Sequence, residues 1–63
     1  MMLNCIIIED QAPAQRILKR YIEDVDHLHL VDVFSDPLQA MACLKGQKVD
    51  LIFLDIHLPK FLE

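Results

Sequence analysis

Two short apolar runs constrain this chain more than any other feature: Leu3 to Ile8 (LNCIII) and Val49 to Leu54 (VDLIFL). Each is about six residues long and apolar on both alternating faces. The first is dominated by β-branched side chains. Runs of that length and composition read as strands covered on both sides, which is the pattern of central strands in a parallel sheet. Such strands need helices above and below them, and the intervening sequence supplies two.

The segment from about Ala14 to Val25 places Ile17, Leu18, Tyr21, Ile22 and Val25 at spacings of one, three and four. Gln15, Arg16, Lys19, Arg20, Glu23 and Asp24 fill the remaining positions, so the spacing predicts an amphipathic helix of about three turns. Pro13 suits its first turn, where no amide hydrogen is needed. His29 to Phe34 reads as another strand. Ser35-Asp36-Pro37 then signals a helix start, with Asp36 as N-cap, Pro37 at the first helical position and Gln39 three residues after the cap. Leu38, Met41, Ala42 and Leu44 are its expected buried stripe, and Gly46 its expected C′ residue.

The predicted order is β1 (3–8), α1 (14–25), β2 (29–34), α2 (from 37) and β3 (49–54), an α/β chain with right-handed crossovers between parallel strands. With β2 on one side of β1 and β3 on the other, the sheet order is 2-1-3 and the helices fall on opposite faces. A switch point then lies between β1 and β3, and ligands bind at the carboxyl ends of strands flanking such a point. There the chain carries Glu9-Asp10 after β1 and Asp55 after β3. Three carboxylates brought together repel one another unless a cation sits among them. A few hard oxygen donors suit Mg²⁺, which keeps part of its water and pairs with phosphate. The expectation is a Mg²⁺-dependent phosphoryl site.

Composition narrows the alternatives. Hydrophobic residues make up 54% of the 63-residue chain, which opposes disorder. No apolar run approaches the roughly 20 residues of a membrane span, and the N-terminus lacks a secretory pattern, so a soluble cytoplasmic protein is expected. A net charge of −4, with six scattered Lys and Arg, opposes nucleic-acid binding by this segment. Cys5 and Cys43 lie far apart in apolar surroundings and read as buried thiols rather than a metal pair or disulfide. His27 and His29 read as surface or edge-strand residues, because no third ligand accompanies them.

The strings "IIIED" and "DLIFLDIHLP" together resemble the receiver domain of two-component response regulators (the CheY-like receivers). "RILKRYIE" and "FSDPLQAM" are most similar to receivers joined to LytTR-type DNA-binding domains. The resemblance implies a truncated flavodoxin-like receiver fold, with residues 1–63 as the N-terminal portion of one such domain. It implies Asp55 as phosphoacceptor and Asp10 as Mg²⁺ ligand, with Glu9 acting mostly through water. The backbone carbonyl of His57 would complete the protein ligands, and a sensor histidine kinase or small acyl phosphate would be the donor. Such a module is a phosphoacceptor rather than an enzyme acting on a separate substrate.

Complete receivers also use a Thr or Ser on a fourth strand and a Lys on a fifth. They usually carry Gly eight residues after the aspartate, where this chain has Glu63. A segment without those groups is expected to hold the acidic half of the site but not to switch. Its β3 would be a sheet edge, so a homodimer or higher assembly through that edge is also expected. Two other functions compete with phosphotransfer: a self-associating interaction fragment, and a hydrolase with a nucleophilic aspartate of the haloacid dehalogenase type. The hydrolase needs an acid two residues after the nucleophile, and here that residue is His57.

Overall fold

Five consecutive residues of one strand, Cys5 to Glu9, are buried, so both faces of that strand are covered. The computed structural model describes residues 1–55 and, of Asp55, the backbone. The strands are β1 (Leu3–Glu9), β2 (Leu28–Phe34) and β3 (Leu51–Asp55), and the helices are α1 (Ala12–Glu23) and α2 (Pro37–Gly46). The sheet is parallel throughout, in the order β2-β1-β3. Alternate residues of β1 feed two separate cores. Cys5 and Ile7 pack with Ile22 and Leu18 of α1, along with Leu28, Leu30, Val33 and Phe53. Ile6 and Ile8 pack with Ala40 and Cys43 of α2, along with Val31, Phe34 and Val49. The two helices therefore lie on opposite faces, as the apolar pattern of β1 requires.

The register of β3 is set at the end of the sheet away from the acids. The Asp50 amide donates to the Asn4 carbonyl (2.7 Å), and the Asn4 amide donates to Asp50 Oδ2 (2.8 Å). Asn4 Nδ2 also donates to the Lys48 carbonyl (3.2 Å). This bracket starts the strand at Leu51, two residues later than the apolar run suggests, and leaves Val49 to pack on the α2 side. From there the pairing runs in step from Cys5↔Leu51 to Glu9↔Asp55. On the other side of β1 the register with β2 slips between Cys5 and Ile6, where the sheet takes up one extra residue of the edge strand.

The helix α2 departs from its predicted phase, and the buried stripe of α1 is narrower than its spacing suggests. In α2, Leu38 is 74% exposed, and Met41, Ala42 and Leu44 also face outward, whereas Ala40 is buried and Cys43 half-buried. The expected stripe is thus nearly opposite the face that packs. α2 is apolar almost all round, so apolar spacing cannot choose its rotation. What packs against Ile6 and Ile8 is the side with small residues, which lets the backbone come close. Asp36 fixes the entry: it accepts from the Leu38 amide (2.7 Å), two residues on, rather than from that of Gln39. Gly46 is the last helical residue, with Gln47 as C-cap, and no residue among those described has positive φ, so Gly46 is not a C′ glycine.

In α1, Ile22 is buried and Leu18 packs beside it, but Ile17 is 53% exposed and Tyr21 also faces solvent. The helix starts and ends two residues earlier than its spacing suggests, with Pro13 in its first turn. Arg16, Lys19 and Arg20, scattered as they look in sequence, line one shallow concavity on its outer face together with Glu23. Both thiols are free. Cys5 is fully buried, its Sγ donating to the His29 carbonyl (3.4 Å), and burial pushes its thiol pKa up. His27 and His29 are exposed, His29 on the edge strand β2.

Candidate functional site

The carboxyl ends of β1 and β3 are side by side, and the residues in register at that end are Glu9 and Asp55. Adjacent strands lie about 4.8 Å apart, so the backbones of two acidic residues 46 positions apart in sequence run side by side at one end of the sheet. Asp10 follows Glu9 directly, in the bend between β1 and α1, and is exposed. The structure therefore gathers the three expected acids at the switch point on the backbone level. The Asp55 side chain, His57 and its carbonyl, and Pro59 lie outside the described residues. Among the described residues no three His, Cys, Asp or Glu side chains form a metal-binding group.

The two neighbouring acids differ in environment. Glu9 is 0% exposed, and its Oε1 accepts from the Gln11 amide (3.0 Å). That amide stands at the N-cap of α1, where Gln11 makes no side-chain cap of its own. Glu9 thus does part of the capping work from the preceding strand, where the unsatisfied amides of the first turn favour a carboxylate. The Glu9 carbonyl accepts from Gln15 Nε2 (2.6 Å). Gln11 and Gln15 were not among the sequence-derived candidates. The only signal available was a carboxylate two residues before an N-cap position that is not Ser, Thr, Asp or Asn. Asp10, exposed, and Glu9, buried, both carry hard carboxylate oxygens, the donor type that Mg²⁺ takes.

Residues 5–62 match the family described as the response regulator receiver domain. The chain belongs to that family. Receiver relatives include the cyclic di-GMP phosphodiesterase response regulator RpfG of Xanthomonas campestris pv. campestris (strain 8004), 39% identical over 57 residues. Transcriptional regulatory protein YpdB of Escherichia coli (strain K12) is 37% identical over 57 residues. Transcriptional regulatory protein MalR of Bacillus subtilis (strain 168) is 34% identical over 58 residues. These alignments take in 90%, 90% and 92% of this receiver chain but only 15%, 23% and 25% of the respective relatives. The chain thus spans a quarter or less of the length of the curated relatives it matches. No solved structure matches it. No helix among the described residues is long and apolar enough to cross a membrane.

Proposed function

We propose that this receiver segment, residues 1–63 of a single receiver domain, is a phosphoacceptor in two-component signalling, with Asp55 as the residue modified. The observation that carries the reading is the register of β1 and β3, which sets Glu9 opposite Asp55 beside Asp10 in a chain matched to the receiver family. In the transfer a carboxylate oxygen of Asp55 attacks the phosphorus of a phosphohistidine or an acyl phosphate. The new O–P bond forms as the bond from phosphorus to the donor breaks, and the donor leaves as a neutral imidazole or a free carboxylate. Asp10 and Glu9 would hold Mg²⁺, with the His57 carbonyl as a further ligand. The ion, when bound, offsets the negative charge of the acids and the incoming phosphoryl oxygens.

The reading goes with a cytoplasmic setting and a sensor histidine kinase as partner. The segment contributes no direct contact to nucleic acid and acts as a phosphoacceptor rather than as an enzyme on a separate substrate. Relatives whose names describe a phosphodiesterase and transcriptional regulators show that receivers serve different outputs. A LytTR-type DNA-binding output is the one favoured by "RILKRYIE" and "FSDPLQAM". The test is Mg²⁺ titration of the chain followed by amide chemical shifts. Asp10→Ala is expected to weaken binding at least tenfold, since even supporting residues of a metal site are worth roughly 10- to 100-fold. Equal affinity in the variant would sink the metal assignment.

A second reading is self-association through β3, favoured by a specific observation. Leu51, Ile52 and Leu54 are exposed, Leu54 at 62%, and among the described residues β3 pairs with β1 alone. On the α1 face, Leu18, Tyr21, Ile22, Val25, Leu28 and Phe53 line an apolar notch of about 130 Å³. An apolar strand with one open edge is a template for a second strand. Light scattering on a sizing column is expected to show a dimer or larger species that Leu54→Lys disperses and Asp55→Asn leaves intact. A folded monomer at low micromolar concentration refutes this reading.

A further inference from the structure

Asp10 sits between two pinned neighbours while its own side chain makes no hydrogen bond among the described residues. Its position is therefore set through the backbone, and both anchors of that backbone lead to Gln15. On the upstream side, Gln15 Nε2 donates to the Glu9 carbonyl at 2.6 Å. On the downstream side, the Gln15 amide donates to the Gln11 carbonyl at 3.0 Å. The Gln11 amide closes the loop by donating to Glu9 Oε1 at 3.0 Å. Gln15 lies one turn into α1 and is half-buried, so its amide reaches the strand end from a rigid element. The five-atom amide side chain at this position spans from the helix to the strand end.

We infer that Gln15 is a positioning residue for the acidic site: its side-chain amide ties the end of β1 to α1 and so fixes where Asp10 stands. This rests on the reading of Asp10 as a Mg²⁺ ligand and adds a residue to that site. Residues that orient ligands are worth roughly 10- to 100-fold in metal affinity. Gln15→Met keeps the length and apolar stem and removes the donor, whereas the backbone bond to Gln11 survives any substitution. Gln15→Lys returns a side-chain N–H donor.

The experiment measures hydrogen exchange of the Gln11 amide and Mg²⁺ affinity in the parent chain and both variants. Gln15→Met is expected to raise Gln11 exchange about tenfold and weaken Mg²⁺ about tenfold, with the thermal midpoint little changed. Gln15→Lys is expected to restore the protection of the Gln11 amide. A general structural role would lower the midpoint and speed exchange across α1, and that pattern overturns the proposal. So does unchanged Gln11 exchange in Gln15→Met, or faster exchange with Mg²⁺ affinity intact. If the parent chain binds no Mg²⁺, the metal reading fails by itself. The clamp is then decided by the exchange data alone: selective loss at Gln11 upholds it, and no change removes it.

Discussion

Asp55→Asn is expected to reduce phosphoryl incorporation from an acyl phosphate to background, while the far-ultraviolet circular dichroism of the chain stays the same. The substitution keeps the size of the side chain and replaces the anionic carboxylate with a neutral amide, whose oxygen is too weak a nucleophile to form the new O–P bond. Loss of a nucleophile is rarely partial: in enzymes that use one it costs roughly a thousandfold or more in rate. Structure should be spared because Asp55 ends β3, and the pairing of that strand is carried by backbone bonds from Leu51 onward. The substitution also removes one of two acids held in register, Glu9 and Asp55, which relieves like-charge repulsion when no cation is present. The metal-free variant is therefore expected to be as stable as the parent or slightly more so. The measurement is intact-protein mass after incubation with acyl phosphate and Mg²⁺. Label persisting in Asp55→Asn would mean that another residue is the acceptor. No label in either protein would leave self-association as the better reading.

The strands were legible in the sequence because a central parallel strand has a signature that nothing else in a short chain shares. It is apolar on both faces and ends in polar residues. That pattern, repeated at Leu3–Glu9 and Leu51–Asp55, carries the sheet order with it, since strands linked by helices cross over with one hand. The backbone pairing of Glu9 with Asp55 followed from the same reasoning. The rotation of the helices was not legible. Leu38, Met41 and Leu44 outweigh Ala40 and Cys43 in hydrophobicity, yet the smaller pair packs, because closeness to Ile6 and Ile8 rewards small side chains. Ile17 was misread for a related reason: α1 lies over Ile7 and Phe53 through Leu18 and Ile22, and the pattern alone makes its apolar stripe too wide. The clamp at Glu9 was hidden because each of its links pairs a side chain with a backbone atom across the β1–α1 turn, and such pairings follow from the turn's path rather than from apolar spacing.

Ile7→Ala is expected to leave the chain largely unfolded at room temperature, whereas Ile17→Ala is expected to change stability by less than about 0.5 kcal/mol, as an exposed substitution should. Sequence pattern gives both isoleucines to the core, and only packing separates them. Ile7 is fully buried at the centre of β1, against Ile22, Leu18, Leu30, Val33 and Phe53. Removing an isoleucine to alanine in such a place costs about 2–5 kcal/mol, from lost transfer energy and the cavity left behind. Native stability runs at roughly 0.05–0.15 kcal/mol per residue, so a chain of this length has about 3–9 kcal/mol in all. One substitution thus removes a large part, or all, of what holds the sheet together. At Ile17 the side chain is half out of the fold, and alanine's better helix propensity offsets the little area lost. Urea denaturation of the three proteins, followed by circular dichroism at matched concentration, gives the comparison. A loss below about 1 kcal/mol at Ile7, or equal losses at both positions, would contradict the α1-side core described above, since a buried isoleucine truncated to alanine should cost more. A collapse of Ile7→Ala alone would also show that the β1 core, rather than contacts at the β3 edge, is what makes the acidic end of the sheet exist.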